Sequence, residues 1–266
     1  MSSDSEKFCR LGRPKRIWAI GAVHGDVARL QGLHDRIGPQ FQPGDRIVYL
    51  GNLIGLHPQV METMAEVLHF RRAILSLQGA LASDVVFLRG AQEEMWQKLL
   101  QLQFAPNPSE VFQWMCDQGV DATLRAYGGD RGEGERAARD GAVQMTRWTN
   151  RLRDAVRSAP GHYAFYAALR RAAFNENGVL CVHANIDTAR PLAAQGDSFW
   201  WGGARFSAME GPYETFSRII RGFDSGNNGI VISDFTASLD GGCGRGGSLA
   251  AGLFQGDGAL IDVVEA

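Results

Sequence analysis

The sequence lacks long apolar runs, clustered cysteines and a marked excess of charge of either sign. None of its apolar runs approaches the ~18 residues that a membrane-spanning helix needs, so we expect no membrane segment. The N-terminal stretch MSSDSEKFCRLGRPKR is polar with no apolar core after it, which argues against a signal peptide. The formal net charge is −2, so charge favours neither nucleic acid nor an anionic membrane as the main partner.

The cysteines are few and far apart. They are Cys9, Cys116, Cys181 and Cys243. Without a CxxC spacing they indicate neither a zinc knuckle nor a disulfide framework. Free thiols suit a reducing compartment, and we therefore expect a cytoplasmic protein.

The apolar residues that are present predict an α/β protein. Short buried strands are expected at Arg16–Ile20, 46–50, 84–89 and 178–184. Helical periodicity is seen at 26–37, 58–75 and 93–103. Strands alternating with helices over 266 residues fit one large domain. We expect a flexible N-terminal tail over 1–15 and a single domain over 16–266.

The remainder of the chain is less regular. Residues 107–177 predict a helical insertion, with a loop at the charged, glycine-containing stretch 130–139. The glycine-rich C-terminal third predicts further strands.

Five segments of the chain carry a family resemblance. They read IWAIGAVHGDVARL, GDRIVYLGNLIGLHP, VVFLRGAQEE, VLCVHANI and FSRIIRGFDSGNNGI. Together they resemble the calcineurin-like metallophosphoesterases, in particular the bacterial serine/threonine phosphatases, whose blocks read GDxHG, GDxxDRG, GNHE, HAG and GH. The resemblance runs from about residue 16 to residue 264. It implies a four-layer α/β/β/α sandwich of two mixed sheets flanked by helices.

The same resemblance implies that the metal ligands of the family are mostly missing here. In the family these blocks bind two divalent cations, one carboxylate bridging both. The positions where a ligand is lost are Ala22, Asn52, Ala91 and Phe223. Only His24 and His183 remain, and in the family these two serve different metals. We therefore expect no metal cofactor.

The catalytic and phosphate-binding positions are also changed. Gln92 stands where the family has a histidine that acts on the leaving group, and a glutamine cannot transfer that proton near neutral pH. Leu56 and Gly203 stand where the family has phosphate-binding arginines. Arg205, two residues from the second of these positions, offers weak compensation because arginine recognises phosphate by bidentate geometry. We expect no catalytic residue.

Other polar residues near the motifs could line the emptied pocket. They are Asp26, His57, Arg89, Glu93, Arg205 and Asp234. Asp26 also suits the N-cap of the helix that follows it. An alternative is a single ion held by His24 and His183 with help from Asp26, His57 or Asp234. Zinc would suit the imidazoles best, with manganese as a second choice.

An aromatic run, Phe199, Trp200 and Trp201, has two interpretations. Core packing is favoured, and an exposed interface near the mouth of the old site is the alternative.

The function that follows from the resemblance and its missing residues is binding without catalysis, most simply of a protein partner. Two alternatives remain open. One is a metal-dependent phosphoesterase with a rebuilt site, acting as a protein phosphatase or a dinucleoside polyphosphate hydrolase. The other is a small-molecule sensor that uses the vacated cleft.

Overall fold

The computed structural model describes residues 7–201 and 206–266, which form two mixed β-sheets with helices around them. The six-stranded sheet contains, in spatial order, β1 (Phe8–Arg10), β5 (Ala172–Phe174), β6 (Val179–Val182), β7 (Arg218–Arg221), β9 (Thr236–Leu239) and β8 (Ile230–Ile232). The five-stranded sheet contains β11 (Leu260–Glu265), β10 (Ala250–Gln255), β2 (Arg16–Ile20), β3 (Arg46–Tyr49) and β4 (Val85–Phe87). Strands β2, β3 and β4 are parallel, as are β6, β7 and β9.

The two sheets pack face to face because their central strands are apolar on both sides. In β2, Ile17 and Ala19 point into the core between the sheets, whereas Trp18 and Ile20 point to the outer core under the helices. A strand places successive side chains on opposite faces, so a continuous apolar run fills two cores at once.

The helices cover the outer face of the five-stranded sheet. In the described part of the chain they are α1 (Val27–Ile37), α2 (Val60–Leu75), α3 (Ala91–Leu99), α4 (Pro108–Asp117), α5 (Val120–Ala126), α6 (Arg131–Arg139), α7 (Ala142–Ser158) and α8 (His162–Ala168). The outer face of the six-stranded sheet is covered by loops and single-turn 3₁₀ helices between Ile186 and Phe216. The predicted sandwich of two mixed sheets is thus confirmed, with one outer layer built from short turns.

The predicted loop at 130–139 was wrong, because these residues form α6. Asp130 accepts a hydrogen bond from the backbone N–H of Glu133 at 3.0 Å and so caps the helix. Gly134 faces the core: a Cβ there would lie 2.4 Å from the Phe112 ring. Glycine in this helix therefore permits close packing of Phe112 and Trp148, although glycine usually predicts a break.

The ends of the chain also differ from expectation. Residues 8–10, expected within a flexible tail, form β1 and pair in parallel with β5. The C-terminal strands divide between the two sheets: β8 and β9 extend one, and β10 and β11 extend the other. No helix in the described ranges is long and apolar enough to cross a bilayer.

A buried polar chain links α1 to α2 and the sheet. The Tyr49 hydroxyl lies 2.7 Å from His34 Nε2, and His34 Nδ1 lies 2.5 Å from a Glu66 carboxylate oxygen. Phe70 stacks on the His34 ring at 3.8 Å between centroids. Burial lowers the pKa of His34, although Glu66 opposes that shift.

We predict that His34→Leu destabilises the fold by about 2–4 kcal/mol, because the substitution leaves Tyr49 and Glu66 without their shared partner. Urea denaturation measures the free energy of unfolding. His69→Leu, at an exposed position of α2, is the matched control and should stay within about 0.5 kcal/mol of the wild type. Equal stabilities of the two variants would show that the hydrogen bonds of His34 to Tyr49 and Glu66 do not stabilise the fold.

Candidate functional site: a cleft at the strand ends

The candidate site lies where the loops after β2, β3, β6 and β7 meet at the ends of both sheets. Backbone hydrogen bonds tie these loops together. The N–H groups of Val23 and His24 donate to the carbonyl of Asn52 at 3.0 and 2.7 Å. The N–H groups of Gly222 and Phe223 both donate to the carbonyl of His183 at 3.0 Å. The motif positions quoted from the sequence are therefore brought to one place.

Glu93 holds the loop after β3 against the start of α3. One carboxylate oxygen accepts from the N–H groups of Leu53 at 2.8 Å and Ile54 at 3.2 Å. The other accepts from Asn52 at 2.9 Å and Gly90 at 2.7 Å. The residue is fully buried, and burial raises its pKa, whereas the backbone hydrogen bonds from Ile54, Gly90 and Asn52 oppose that shift.

Three site residues have left-handed backbone conformations that non-glycine residues seldom adopt. Their φ angles are +55° for His24, +51° for Asn52 and +52° for Leu56. Such conformations persist only where the surrounding structure enforces them, and they often mark functional sites. The backbone of the cleft thus keeps a constrained geometry.

His183 is neutral and has one free nitrogen. Its Nδ1 lies 2.7 Å from the carbonyl of Leu50 and donates to it, so Nε2 carries the lone pair. Nε2 is buried with no partner in the described structure. The Phe223 ring stacks on His183, with centroids 5.4 Å apart and planes at 4°.

His24 is also buried and contacts the Phe223 ring. The two rings meet edge to face at 5.8 Å. The Asn52 amide nitrogen lies 3.5 Å from His24 Nε2, and the Asn52 side-chain oxygen accepts from the Gln92 N–H at 2.9 Å. The amide orientation follows from the second bond, so Asn52 donates to His24 Nε2. His24 Nδ1 then carries the proton and has no partner among the described residues.

Both histidines resist protonation. Burial lowers the pKa of His24 to about 3, and His183, Arg245 and His57 add to the shift. Burial lowers the pKa of His183 to about 4 against the hydrogen bond to Leu50. Both imidazoles are therefore uncharged near neutral pH.

The positions expected to have lost catalytic and phosphate-binding groups hold structural contacts. The Gln92 amide nitrogen donates to the carbonyl of Gln118 at 2.8 Å. Leu56 packs against Gly119, where a Cβ would lie 2.4 Å from a Leu56 methyl carbon. The loop before α5 thus contacts Gln92 and Leu56, the two described positions where the sequence predicted the loss of a catalytic and a phosphate-binding residue. Gly203 and Arg205 lie outside the described residues.

The cleft between these loops has a volume of about 390 Å³. Its lining comprises His24, Asn52, Leu56, Ala91, Gln92, Met95, Gln118, Trp200, Trp201, Phe223, Ser225 and Arg245. The Arg245 guanidinium lies 5.5 Å from the centre of the Phe223 ring. Within the described lining, Arg245 is the charged group and the walls are aromatic, aliphatic or amide.

These residues do not fit a pair of divalent metal ions. Such a pair needs several oxygen or imidazole ligands and a bridging carboxylate. Ala22 and Ala91 have no donor atom, Asn52 has both amide atoms engaged, and Phe223 packs against both histidines. Over the described ranges, no cluster of three or more His, Cys, Asp or Glu side chains could hold an ion.

The residues predicted to line the pocket are mostly placed elsewhere. Asp26 caps α1 and pairs with Arg29, and Glu93 lies beneath the loops. Arg89 pairs with Glu94 at 3.1 Å. Asp234 is exposed near the start of β7, at the end of the sheet away from the cleft. None of these four side chains is part of the described lining of the cleft, because sequence proximity to a motif does not fix the direction of a side chain.

His57 lies close to the cleft without lining it. Its backbone N–H donates to the carbonyl of His24 at 2.9 Å. Its charge, when protonated, would disfavour a charge on His24.

The aromatic run is core rather than a broad exposed patch. Phe199 and Trp200 are buried, and the indole N–H of Trp200 donates to the carbonyl of Arg89 at 3.0 Å. Trp201 is half-buried and meets Trp114 edge to face at 5.5 Å. Phe199 and Trp200 therefore present little surface to a partner.

Sequence reasoning missed Gln118, Ser225 and Arg245. A signal for Arg245 was present, since it is the lone cation in the glycine-rich stretch GGCGRGGS. Gln118 precedes a tight turn in the insertion and carries no signal of its own.

Comparisons with solved structures support the fold. A protein provisionally named a diadenosine tetraphosphatase matches with a TM-score of 0.57 and 16% identity, over 98% of both chains. A protein serine/threonine phosphatase from Saccharomyces cerevisiae matches with a TM-score of 0.54 and 14% identity, over 98% of this chain and 84% of the other. A mutant cold-active protein tyrosine phosphatase has a TM-score of 0.51 and 14% identity at the same coverage.

Neither a protein-family model nor a curated protein sequence matches the chain. At 14–16% identity, the structural matches establish the fold alone. That fold is the two-sheet α/β fold that these phosphatases share.

We predict that Glu93→Gln destabilises the protein by about 2–4 kcal/mol, because the new amide group would face two backbone N–H donors. Urea denaturation provides the measurement. Glu62→Gln, at an exposed position of α2, makes the same chemical change and should alter stability by less than about 0.5 kcal/mol. A Glu93→Gln protein as stable as this control would rule out the proposed role of the carboxylate.

The buried histidines predict acid sensitivity. Their folded-state pKa values lie below the unfolded value of about 6.5, so the unfolded chain binds more protons below that pH. Stability should fall as the pH drops from about 6.5 towards 4, with each histidine contributing on the order of 2 kcal/mol between about pH 7 and 5.

Urea unfolding at about pH 7 and about pH 5 measures this loss of stability. The control is His24→Asn, because asparagine tolerates the left-handed backbone and does not titrate. The variant should lose less stability on acidification than the wild type does. An equal loss in both proteins would show that His24 does not contribute.

Proposed function

We propose that this chain is a catalytically inactive metallophosphoesterase-fold protein, a pseudophosphatase, which acts by binding another protein. The observation that carries the proposal is Phe223, whose ring stacks on His183 and meets His24 edge to face. In the family this position supplies a metal ligand. An apolar ring has no donor atom and packs against the two imidazoles that remain.

The surrounding polar groups support the same conclusion. Asn52 stands at the position of the bridging carboxylate, and its amide is used to hold Gln92 and His24. A neutral amide cannot supply two anionic oxygens to two cations. Gln92 is itself held by the carbonyl of Gln118, so the proton donor of the family has become a structural contact.

A second candidate function is recognition of a small molecule in the vacated cleft. It is favoured by a cavity of about 390 Å³ that has aromatic walls and a single described cation, Arg245. A thermal-shift screen that gave no effect of phosphate but an effect of a neutral aromatic metabolite would support it.

The alternative of a rebuilt hydrolase, acting on phosphoproteins or dinucleoside polyphosphates, draws support only from the printed names of the structural neighbours. It requires ligands that the described residues do not provide. A measurement of bound metal distinguishes the hydrolase from the two functions that need no metal, binding of a protein and recognition of a small molecule.

We predict that the wild-type protein, incubated with manganese and zinc and then desalted, retains far less than one ion per chain and does not hydrolyse an aryl phosphate. A variant that combines Ala22→Asp, Asn52→Asp, Ala91→Asn, Gln92→His and Phe223→His should regain metal binding in part, because it restores the missing donors. Elemental analysis and calorimetry give the stoichiometry.

The matched control keeps four of these substitutions and retains Phe223. It should bind less metal than the full variant, because the ring still packs against His183. We expect the full variant to remain without phosphatase activity, since Leu56 and Gly203 still lack the phosphate-binding arginines. Retention of about two ions per chain by the wild type would overturn the proposal.

A further inference from the structure

The helical insertion has an apolar groove that the cleft does not account for. The groove lies between α2 and α8, has a volume of about 350 Å³, and is lined by Leu68, Phe87, Ala164 and Phe165. Arg71 and Arg72 stand at its edge. Neither guanidinium group makes a hydrogen bond or an ion pair with a side chain of the described residues.

A second groove runs along the other side of α8. It also measures about 350 Å³ and is lined by Leu100, Val156 and Tyr166, with Arg153 and Arg157 beside them. Tyr163 lines this groove with 62% of its surface exposed. We call the two grooves together with Tyr163 the α8 surface.

The charges around the α8 surface are strongly biased. Residues 141–175 contain six arginines and one aspartate, a formal charge of +5. Residues 176–266 contain five arginines and eleven acidic residues, a formal charge of −6. The near-neutral total of −2 thus hides a basic segment that includes α7 and α8 and an acidic C-terminal part.

We infer that the α8 surface binds an acidic, amphipathic segment of a partner protein. Apolar side chains of the segment would enter the grooves, and its carboxylates would pair with Arg71 and Arg72, since Arg157 already pairs with Asp154 at 3.3 Å. Helices with apolar residues at i, i+3, i+4 and i+7 are recognised in apolar grooves of this kind. The inference rests on the proposed function, since it names the chemistry of the partner that the protein would bind.

The observations favour a peptide over other polyanions. Both grooves have apolar linings of leucine, valine, phenylalanine or tyrosine, which suit aliphatic and aromatic side chains better than a sugar-phosphate backbone. The acidic C-terminal part would repel an extended nucleic acid or an anionic membrane that reached beyond the α8 surface.

A fluorescent peptide of about 18 residues, long enough to form a helix, provides the test. It carries leucine and phenylalanine on one side and glutamate on the other, and a second peptide has lysine in place of each glutamate. Fluorescence anisotropy with the full chain at ~50 mM and ~300 mM salt should show binding of the acidic peptide, weaker at higher salt. The lysine peptide should bind at least about tenfold more weakly.

Arg71→Glu with Arg72→Glu should weaken binding of the acidic peptide by about tenfold or more. The matched control, Arg136→Glu with Arg139→Glu, makes the same change of charge at exposed positions of α6 outside both grooves. It should weaken binding less than threefold, roughly the effect of general charge alone. Ala164→Trp, which fills the first groove without changing charge, should also weaken binding.

Equal binding of the acidic and lysine peptides, or equal effects of the two charge-reversal pairs, would overturn the inference. So would tighter binding of polyuridylate RNA or phosphatidylserine vesicles than of the acidic peptide. Circular dichroism of each variant establishes that it is folded. Metal content, measured on the same wild-type preparation, distinguishes failure of this inference from failure of the proposed function.

Discussion

The cleft depends on one buried carboxylate. Glu93 accepts hydrogen bonds from four backbone N–H groups, three in the loop after β3 and one at Gly90. A buried carboxylate with several such donors fixes the backbone around it, and an unsatisfied buried donor is costly. This arrangement needs no metal. It would hold these loops in place in a protein whose residues Ala22, Asn52 and Phe223 bind no metal, as we propose.

The proposed loss of a metal centre would also remove a problem of stability. A site with several carboxylates in a buried cleft is destabilised by their repulsion and desolvation unless cations are bound. Here the corresponding positions are neutral, the two remaining histidines are uncharged near neutral pH, and the Phe223 ring packs against both. The cleft is thus compatible with a stable protein that holds no ion, and selection can then act on other surfaces of the same fold.

The sequence predicted the fold better than the site. Strand β2 was predicted with its observed bounds, because a run apolar on both faces is typical of a central strand. The helix α6 was not predicted, because the reason for Gly134 is the distant ring of Phe112. Likewise, Asp26 and Arg89 turn to local partners, Arg29 and Glu94, which the match to the motifs did not weigh. The motif positions themselves met in one cleft, since each follows a strand end.

The central claim is that Phe223 occupies a position where a metal ligand would be needed. The most direct test is anomalous X-ray diffraction from crystals grown with manganese and zinc. The account predicts no anomalous peak in the cleft and a Phe223 ring stacked on His183. Two peaks about 3.5–4 Å apart near His24 and His183, with Phe223 turned away, would contradict it.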